Sequence, residues 1–392
     1  MSEPRLAVGL VVVAASLAFL IVLAEVGLRL AGIGSPNFYY VNDAVGLSLL
    51  PGAEGEYTKE GGAYVRINAD GLRDEDHATA KPDGTYRVAV IGDSHAEAMH
   101  VPMAEAFWAV MERRLAACPA HAGRTVEAIN FGVSGYGTAQ ELLTLRHKAW
   151  AYDPDLVLLL FTPANDVWDN SRALLGDGLR PYFVYRDGEL VLDESFRQST
   201  AFKLRTSFVG QAHYWLLSRS RLWQQTFRAV TGLRQPAAAG QAEDAGFDEL
   251  GLDAQVYRPP ETAEWREAWR VTEGLVTLMR DEVEARGKRF FVAVASTAAQ
   301  INPDAAARAR FAEKLGVDDL LHPNERIVAL GARAGFPVLD LAPILRREAE
   351  GAGRCLHGFA NAQACGGHWN AEGNRRAGEL IADALCQAAA AD

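Results

Sequence analysis

Only four cysteines occur in the 392 residues, Cys118, Cys355, Cys365 and Cys386, and no two form a C-x-x-C pair. That spacing excludes a zinc ribbon and a thioredoxin-like redox site. Blocks of like charge are absent as well. With a formal net charge of −11 and no clustered Lys and Arg, the chain lacks the electrostatic footprint of a nucleic-acid binder; its acidity reads as a solubility feature. No internal repeat is visible. What remains is ordinary globular composition, in a chain too long for one minimal domain and able to bury a sizeable core.

One apolar run stands out. Residues 6–24, LAVGLVVVAASLAFLIVLA, hold 19 residues without a charge, about the length that crosses the hydrocarbon core as a helix. A cleaved signal would have a shorter apolar region and a small-x-small site; the nearest approach to one is Ala31-Gly32-Ile33-Gly34. The reading is an uncleaved single-pass anchor over residues 1–32. Arg5 before the run and Arg29 after it cancel, so the positive-inside rule sets no orientation. An even cysteine count behind an anchor suits an oxidising compartment. The expected location is therefore the inner membrane, with the catalytic domain periplasmic.

Residues 33–84 read as a spacer and a short β segment, with hairpin-like alternation over 55–75 and a turn at Asn68-Ala69-Asp70-Gly71. From residue 85 onward a doubly wound α/β pattern sets in. Strands are expected at 86–91, 125–131, 156–161, 289–295 and 336–341, and helices at 96–117, 138–150, 262–286, 323–334 and 371–388. The unbroken apolar LVLLLF at 156–161 is of the kind buried in parallel sheets. Five strands alternating with helices predict a flavodoxin-like, doubly wound parallel five-stranded sheet. An insertion at about 171–260 interrupts the rhythm. It holds a hairpin turning at Asp187-Gly188, an aromatic helical stretch around 214–230 and a Gln/Ala/Gly/Asp-rich linker at 235–248 whose composition is that of a flexible chain. It reads as a cap.

In open α/β sheets, ligands sit beyond the carboxyl ends of the strands. Gly92-Asp93-Ser94-His95 follows the first strand, Gly132-Val133-Ser134-Gly135 the second and Pro163-Ala164-Asn165-Asp166 the third, while Gly366-Gly367-His368-Trp369-Asn370 precedes the last helix. Each has a plain structural reading: Ser94 as a helix N-cap, Gly135 as a positive-φ residue, Asn165 and Asp166 as turn formers, His368 as a loop histidine. Together they supply a nucleophile, a base and oxyanion donors, the inventory of acyl transfer. An α/β-hydrolase elbow, G-x-S-x-G, begins at Gly132-x-Ser134 but fails at Tyr136. Asp93 and His95 lack a third partner for a metal, so neither metal nor cofactor is expected.

Four segments resemble the blocks of the SGNH (GDSL-type) hydrolase superfamily, in the family's order: VAVIGDSHAEA, INFGVSGYGTAQELL, FTPANDVWDN and GGHWNAEGN. The upstream VRINADGLRD resembles a segment of membrane-anchored bacterial members. The resemblance implies Ser94 as nucleophile, His368 as base, and an oxyanion hole formed by the main-chain N–H groups of Ser94 and Gly135 and the amide of Asn165. The implied activity is hydrolysis of an O-acyl, for example O-acetyl, ester on a small molecule, lipid or glycan. The alternatives are an O-acyltransferase acting on an envelope glycan, or a catalytically weak glycan-binding protein of the same fold.

Two positions depart from the family. Pro163 replaces a glycine, and Cys365 stands three before His368, where the family has aspartate. The second nitrogen of a histidine base must donate a hydrogen bond. A main-chain carbonyl near Cys365 or Gly366 is the expected acceptor, with Asp340 and then Glu372 as possible acid partners. In a flavodoxin-like winding, the helix ending at Cys118 and the final helix run parallel on one face, which pairs Cys118 with Cys386. Cys355 and Cys365 bracket the loop before His368 and pair with each other. Four cysteines allow three pairings in all.

Overall fold

In the computed structural model, which describes residues 3–34, 36–163, 165–234 and 253–391, the central sheet has five parallel strands: β1 (Thr85–Ile91), β2 (Thr125–Asn130), β3 (Leu156–Phe161), β4 (Arg289–Val294) and β5 (Val338–Asp340). Their spatial order is β2-β1-β3-β4-β5. This is the doubly wound order expected from the sequence. Its direction of winding reverses between β1 and β3, which opens a crevice beyond their carboxyl ends.

Alternation along the strands divides the core. Val88, Val90, Leu158, Leu160, Phe291 and Ala293 pack on one face, and Ala89, Ile91, Val157, Leu159, Val292 and Val294 on the other, because successive strand side chains point to opposite faces. The principal helices are α1 (Phe107–Ala116), α2 (Thr138–His147), α3 (Ala263–Glu284), α4 (His322–Ala334), α5 (Ala342–Ala352) and α6 (Ala371–Ala391). α1, α5 and α6 cover the first face; α2, α3 and α4 cover the second.

α1 and α6 lie unusually close. A Cβ at Gly378 would overlap the Phe107 carbonyl, Arg114 grips Asp383 with two bonds of 2.5 and 2.8 Å, and Cys118 is bonded to Cys386 across a Cα separation of 5.9 Å.

The helix expected at 96–117 is broken. A short turn, Ser94–Glu97, ends at Ala98 with φ 51, and the main helix begins only at Phe107. Pro102, in the chain between them, is the local signal for the break. α5 and the helix Ala305–Leu315 have no counterpart among the helices expected from the sequence.

Residues 33–84 are built into the core. They form two antiparallel pairs, Tyr39–Asn42 with Gly46–Leu49 and Glu54–Tyr57 with Ala63–Arg66, and bury Phe38, Leu49, Val65, Ile67 and Leu72. The second pair turns at 58–62; Asn68-Ala69-Asp70-Gly71 is a separate turn after it, closed on the Asn68 side chain. Buried Arg73 donates to the carbonyls of Glu97 at 2.7 Å and Val101 at 2.5 Å, and so clamps the loop that follows Ser94.

In the insertion, Tyr182–Arg186 pairs with Glu189–Asp193 through Asp187 and Gly188, both at positive φ. Three helices follow, Thr200–Thr206, Phe208–Arg219 and Arg221–Arg234. The linker read at 235–248 lies outside the described residues. The N-terminal helix, Glu3–Leu30, is long and apolar enough to cross a membrane over Ala7–Leu30 and buries none of that stretch in the protein; a signal sequence would look the same.

Candidate active site

Ser94 is the first residue of the turn after β1. Asp93 caps that turn, accepting the His95 N–H at 3.0 Å. Fully buried, Asp93 also accepts from Thr162 Oγ1 at 2.9 Å and Asn165 Nδ2 at 2.8 Å. Burial pushes its carboxyl up, while those three donors pull it down. One hydrogen of the Asn165 amide is thus fixed on Asp93, which orients the other. Gly135 lies beyond β2 at φ 76, a conformation glycine adopts without strain, and Arg180 Nη1 holds its carbonyl at 2.8 Å. Ser134, the rival nucleophile, bonds the buried Glu97 carboxylate, which also accepts from Tyr39 at 2.9 Å.

His368 lies at the other rim of the crevice. Its Nε2 is 2.8 Å from Ser94 Oγ. Its Nδ1 is 2.7 Å from Glu60 Oε2, and its main-chain N–H donates to Glu60 Oε1 at 2.7 Å. The carboxylate facing the imidazole therefore comes from the tip of the upstream hairpin, 308 residues away in sequence. This corrects all three candidates for the acceptor. The carbonyl reading falls because Glu60 faces Nδ1. Asp340 instead accepts from Asn324 at 2.7 Å and caps Ala342 at 3.1 Å. Glu372 bonds Arg375 at 2.8 and 2.9 Å on the surface.

The approach of Glu60 is prepared on both sides. Gly367, at φ 67, leaves the space that a Cβ would take from Glu60 Oε1. Asn361 grips the hairpin tip, accepting from Gly61 N at 2.9 Å and donating to Gly61 O at 2.7 Å. Burial alone would push the Glu60 carboxyl up; the hydrogen bonds and charge of His368 outweigh it and hold the group below the usual carboxylate range. The only sequence cue was an acid beside Gly61-Gly62, between two alternating segments.

Cys355 is bonded to Cys365 with Cα atoms 5.2 Å apart, closing the loop that presents His368. The two bridges should act differently. For Cys118→Ser/Cys386→Ser we expect a stability loss of about 5 kcal/mol, and for Cys355→Ser/Cys365→Ser about 2–3 kcal/mol, on chain-entropy grounds. Only the second pair should lower kcat in protein that remains folded. Chemical denaturation and kinetics on both double variants check this; a kcat loss confined to the first pair would contradict it.

Three more imidazoles surround the site. His100 stacks on His368 with centroids 3.9 Å apart and planes at 19°, its Nε2 3.5 Å from Glu60 Oε2. His357 bonds the Gly367 carbonyl at 2.6 Å and Ser296 at 3.1 Å. His95 packs its ring edge-on against Trp369 with centroids 4.6 Å apart. Glu60, His100 and His368 bring one ligand atom each within 4.8 Å of one another. They come nearest to a cation site among the described residues, but the 2.7 Å separation of Nδ1 and Oε2 is that of a hydrogen bond. A cation would have to displace the shared proton.

Burial holds His357 down to about 4, the like charge of His368 adding to it; burial likewise depresses His95 and His100 well below 6.5. Unfolded imidazoles protonate near 6.5 while these stay neutral, so stability is lost as pH falls below 6.5, for His357 down to about 4. Each such group contributes a slope of roughly 1.4 kcal/mol per pH unit in its window. Buried Asp169, pushed up to about 7, and Glu141 and Asp166, also pushed up by burial, work in the opposite sense over the same range. The imidazole contribution is therefore read by difference: between pH 7.5 and 5, Tm should fall more, or rise less, in the parent than in His357→Gln, and an equal change in the two would contradict the burial of this ring.

No family model and no curated protein matches the sequence. Solved structures do. An acetyl xylan esterase shares 13% identity over 77% of this chain and 98% of its own, with a TM-score of 0.38. A lipase/acylhydrolase from Enterococcus faecalis shares 13% over 77% and 96%, with a TM-score of 0.37. A lipolytic protein of the G-D-S-L family from Desulfitobacterium hafniense shares 10% over 76% and 98%, with a TM-score of 0.34. At TM-scores this low the matches decide nothing about this chain's chemistry.

Proposed function

We propose that this chain is a serine ester hydrolase of the SGNH type, with Ser94 as nucleophile, His368 as base and Glu60 as the acid that orients it. One observation carries the reading: the imidazole of His368 is bonded on one side to the Ser94 hydroxyl at 2.8 Å and on the other to the Glu60 carboxylate at 2.7 Å. That is the nucleophile–base–orienter geometry of acyl transfer.

As Ser94 Oγ attacks an ester carbonyl, His368 Nε2 takes its proton, and Glu60 stabilises the imidazolium. The N–H groups of Ser94 and Gly135 and the free hydrogen of the Asn165 amide receive the oxyanion. Loss of one such donor costs about 3–4 kcal/mol in a comparable site. His368 then protonates the leaving alcohol, and water, deprotonated by the same imidazole, releases the acid and restores Ser94. A carboxylate on His368 Nδ1 favours this reading over a catalytically weak binding protein, because it supplies the acid that Cys365 does not.

The substrate class is an O-acyl ester on a small molecule, lipid or glycan. Turnover of p-nitrophenyl acetate by the purified full chain in detergent tests the reading. Steady hydrolysis that stops on fluorophosphonate treatment supports it. Acylated glycan in place of free acid, when a sugar acceptor is added, makes the protein an O-acyltransferase with the same site. Absence of any acyl chemistry would overturn both.

The N-terminal helix is the proposed anchor, with the catalytic domain on the oxidising side of the membrane, a placement that the two disulfides support. An alkaline-phosphatase fusion after residue 60 should be active; activity of only a cytoplasmic reporter there would reverse the orientation.

A further inference from the structure

Large apolar side chains are exposed in two places. Among the described residues, the N-terminal helix and the adjoining Ile33 carry one set. The other lies in the insertion: Leu204, Phe208, Val209, Trp215, Trp223, Phe227 and Val230. Beyond these, among the described residues, only Tyr64 and Val328 are large, apolar and exposed. Phe208 is 86% and Trp215 62% exposed, and they are seven residues apart on one helix. Trp223, Phe227 and Val230 follow i, i+4, i+7 on the next, which places them on one stripe.

The same segment has an unusual charge. Between residues 200 and 234 lie Lys203, Arg205, Arg219, Arg221, Arg228 and Arg234 and no Asp or Glu, in a chain whose net charge is −11. Aromatic and aliphatic side chains interleaved with basic ones are the signature of a helix lying in a membrane interface, where Trp sits at headgroup level and Lys and Arg meet anionic lipid.

Position makes the match specific. The last turns of the N-terminal helix are fastened to this segment. The Glu25 carboxylate caps the helix Arg221–Arg234, accepting from Ser220 Oγ at 2.9 Å and from the N–H groups of Arg221 and Leu222 at 3.0 Å each. Arg29 donates to the Arg219 carbonyl at 2.5 Å. The end of the apolar helix is therefore held at the junction between two of the basic aromatic helices, Phe208–Arg219 and Arg221–Arg234. A cavity of about 1,110 Å³ opens at this junction, with Arg29, Arg205, Arg219 and Arg221 in its wall.

We propose that the insertion helices 200–231 form an interfacial surface that rests on an anionic lipid bilayer beside the N-terminal span. The proposal rests on the membrane-anchor reading and adds a second, separable attachment. Charge complementarity and continuity with the apolar helix favour lipid over a second copy of the chain as the occupant.

Tryptophan quenching tests it. The N-terminal helix contains no Trp, and Trp108, Trp265, Trp269 and Trp369 are buried in the catalytic domain. The full chain is mixed with vesicles of brominated phosphatidylcholine and phosphatidylglycerol, floated, and its emission compared with that on non-brominated vesicles. We expect strong quenching that largely vanishes in Trp215→Phe/Trp223→Phe and weakens severalfold without phosphatidylglycerol. Flotation that resists carbonate, with emission unaffected by bromine, would overturn the surface and leave the anchor standing. Quenching that 0.5 M salt removes together with flotation would overturn the anchor and leave the surface. A bromine-insensitive blue shift in a species of twice the mass would assign the face to a second copy and overturn the proposal.

Discussion

Glu60→Gln is expected to lower kcat for ester hydrolysis by about 10³–10⁴-fold with little change in KM or Tm, the scale seen when a triad acid is neutralised in serine proteases. The substitution keeps size and shape, so the hairpin tip should stay in place under the grip of Asn361 on Gly61. What changes is the direction of a hydrogen bond. Glu60 accepts on both oxygens, from the main chain of His368 and from its Nδ1. An amide can keep only one acceptor. If the oxygen stays on the main-chain N–H, the NH2 faces Nδ1 and drives the ring proton to Nε2, the nitrogen that must accept from Ser94. Asp340→Asn and Glu372→Gln serve as controls and should stay within a few fold of the parent, because their carboxylates bond Asn324 and Arg375. A Glu60→Gln variant within tenfold of the parent, or equal loss in either control, would mean that Glu60 is not the acid that orients His368.

Ser94→Ala is expected to have the largest effect, a loss of about 10⁵–10⁶ in kcat, as for removal of a serine nucleophile in subtilisin. The fold should be unaffected, since Ser94 begins a four-residue turn whose cap is Asp93. Ser134→Ala should do the reverse. Its hydroxyl serves the buried Glu97 carboxylate, so its loss should cost about 1–3 kcal/mol of stability by leaving that group under-satisfied, with kcat changed only a few fold. Equal inactivation by the two substitutions would mean that Ser134 belongs to the chemistry.

The difference between Ser94 and Glu60 shows where sequence reading stops. Ser94, Gly135 and Asn165 each follow a run that reads as a strand of the central sheet, so local pattern places them on one edge of it. The five-strand winding follows from the same runs. Glu60 sits on a two-stranded hairpin outside the α/β rhythm, and nothing local says that this hairpin folds back over residues 358–368. The residue that permits it, Gly367, is one of 36 glycines; its role depends on a positive φ and on a neighbour 307 positions away. The cysteine before His368 pointed away from a carboxylate altogether, because it is committed to Cys355. Likewise the aromatic stretch of the insertion reads as a cap from its sequence, and it is the bonds of Glu25 and Arg29 to residues 219–222 that tie it to the N-terminal helix.

The central claim is that Ser94, His368 and Glu60 act as one unit, and the rate of covalent labelling by a fluorophosphonate tests it most directly. Labelling reads the nucleophile without assuming a substrate, and peptide mapping names the residue. The account predicts label on Ser94 alone, none in Ser94→Ala, and rates at least about 100-fold slower in both His368→Ala and Glu60→Gln at pH 7.5, in line with the contribution of general base catalysis. Label on Ser134, or a Glu60→Gln variant that labels at the parent rate while His368→Ala does not, would contradict it.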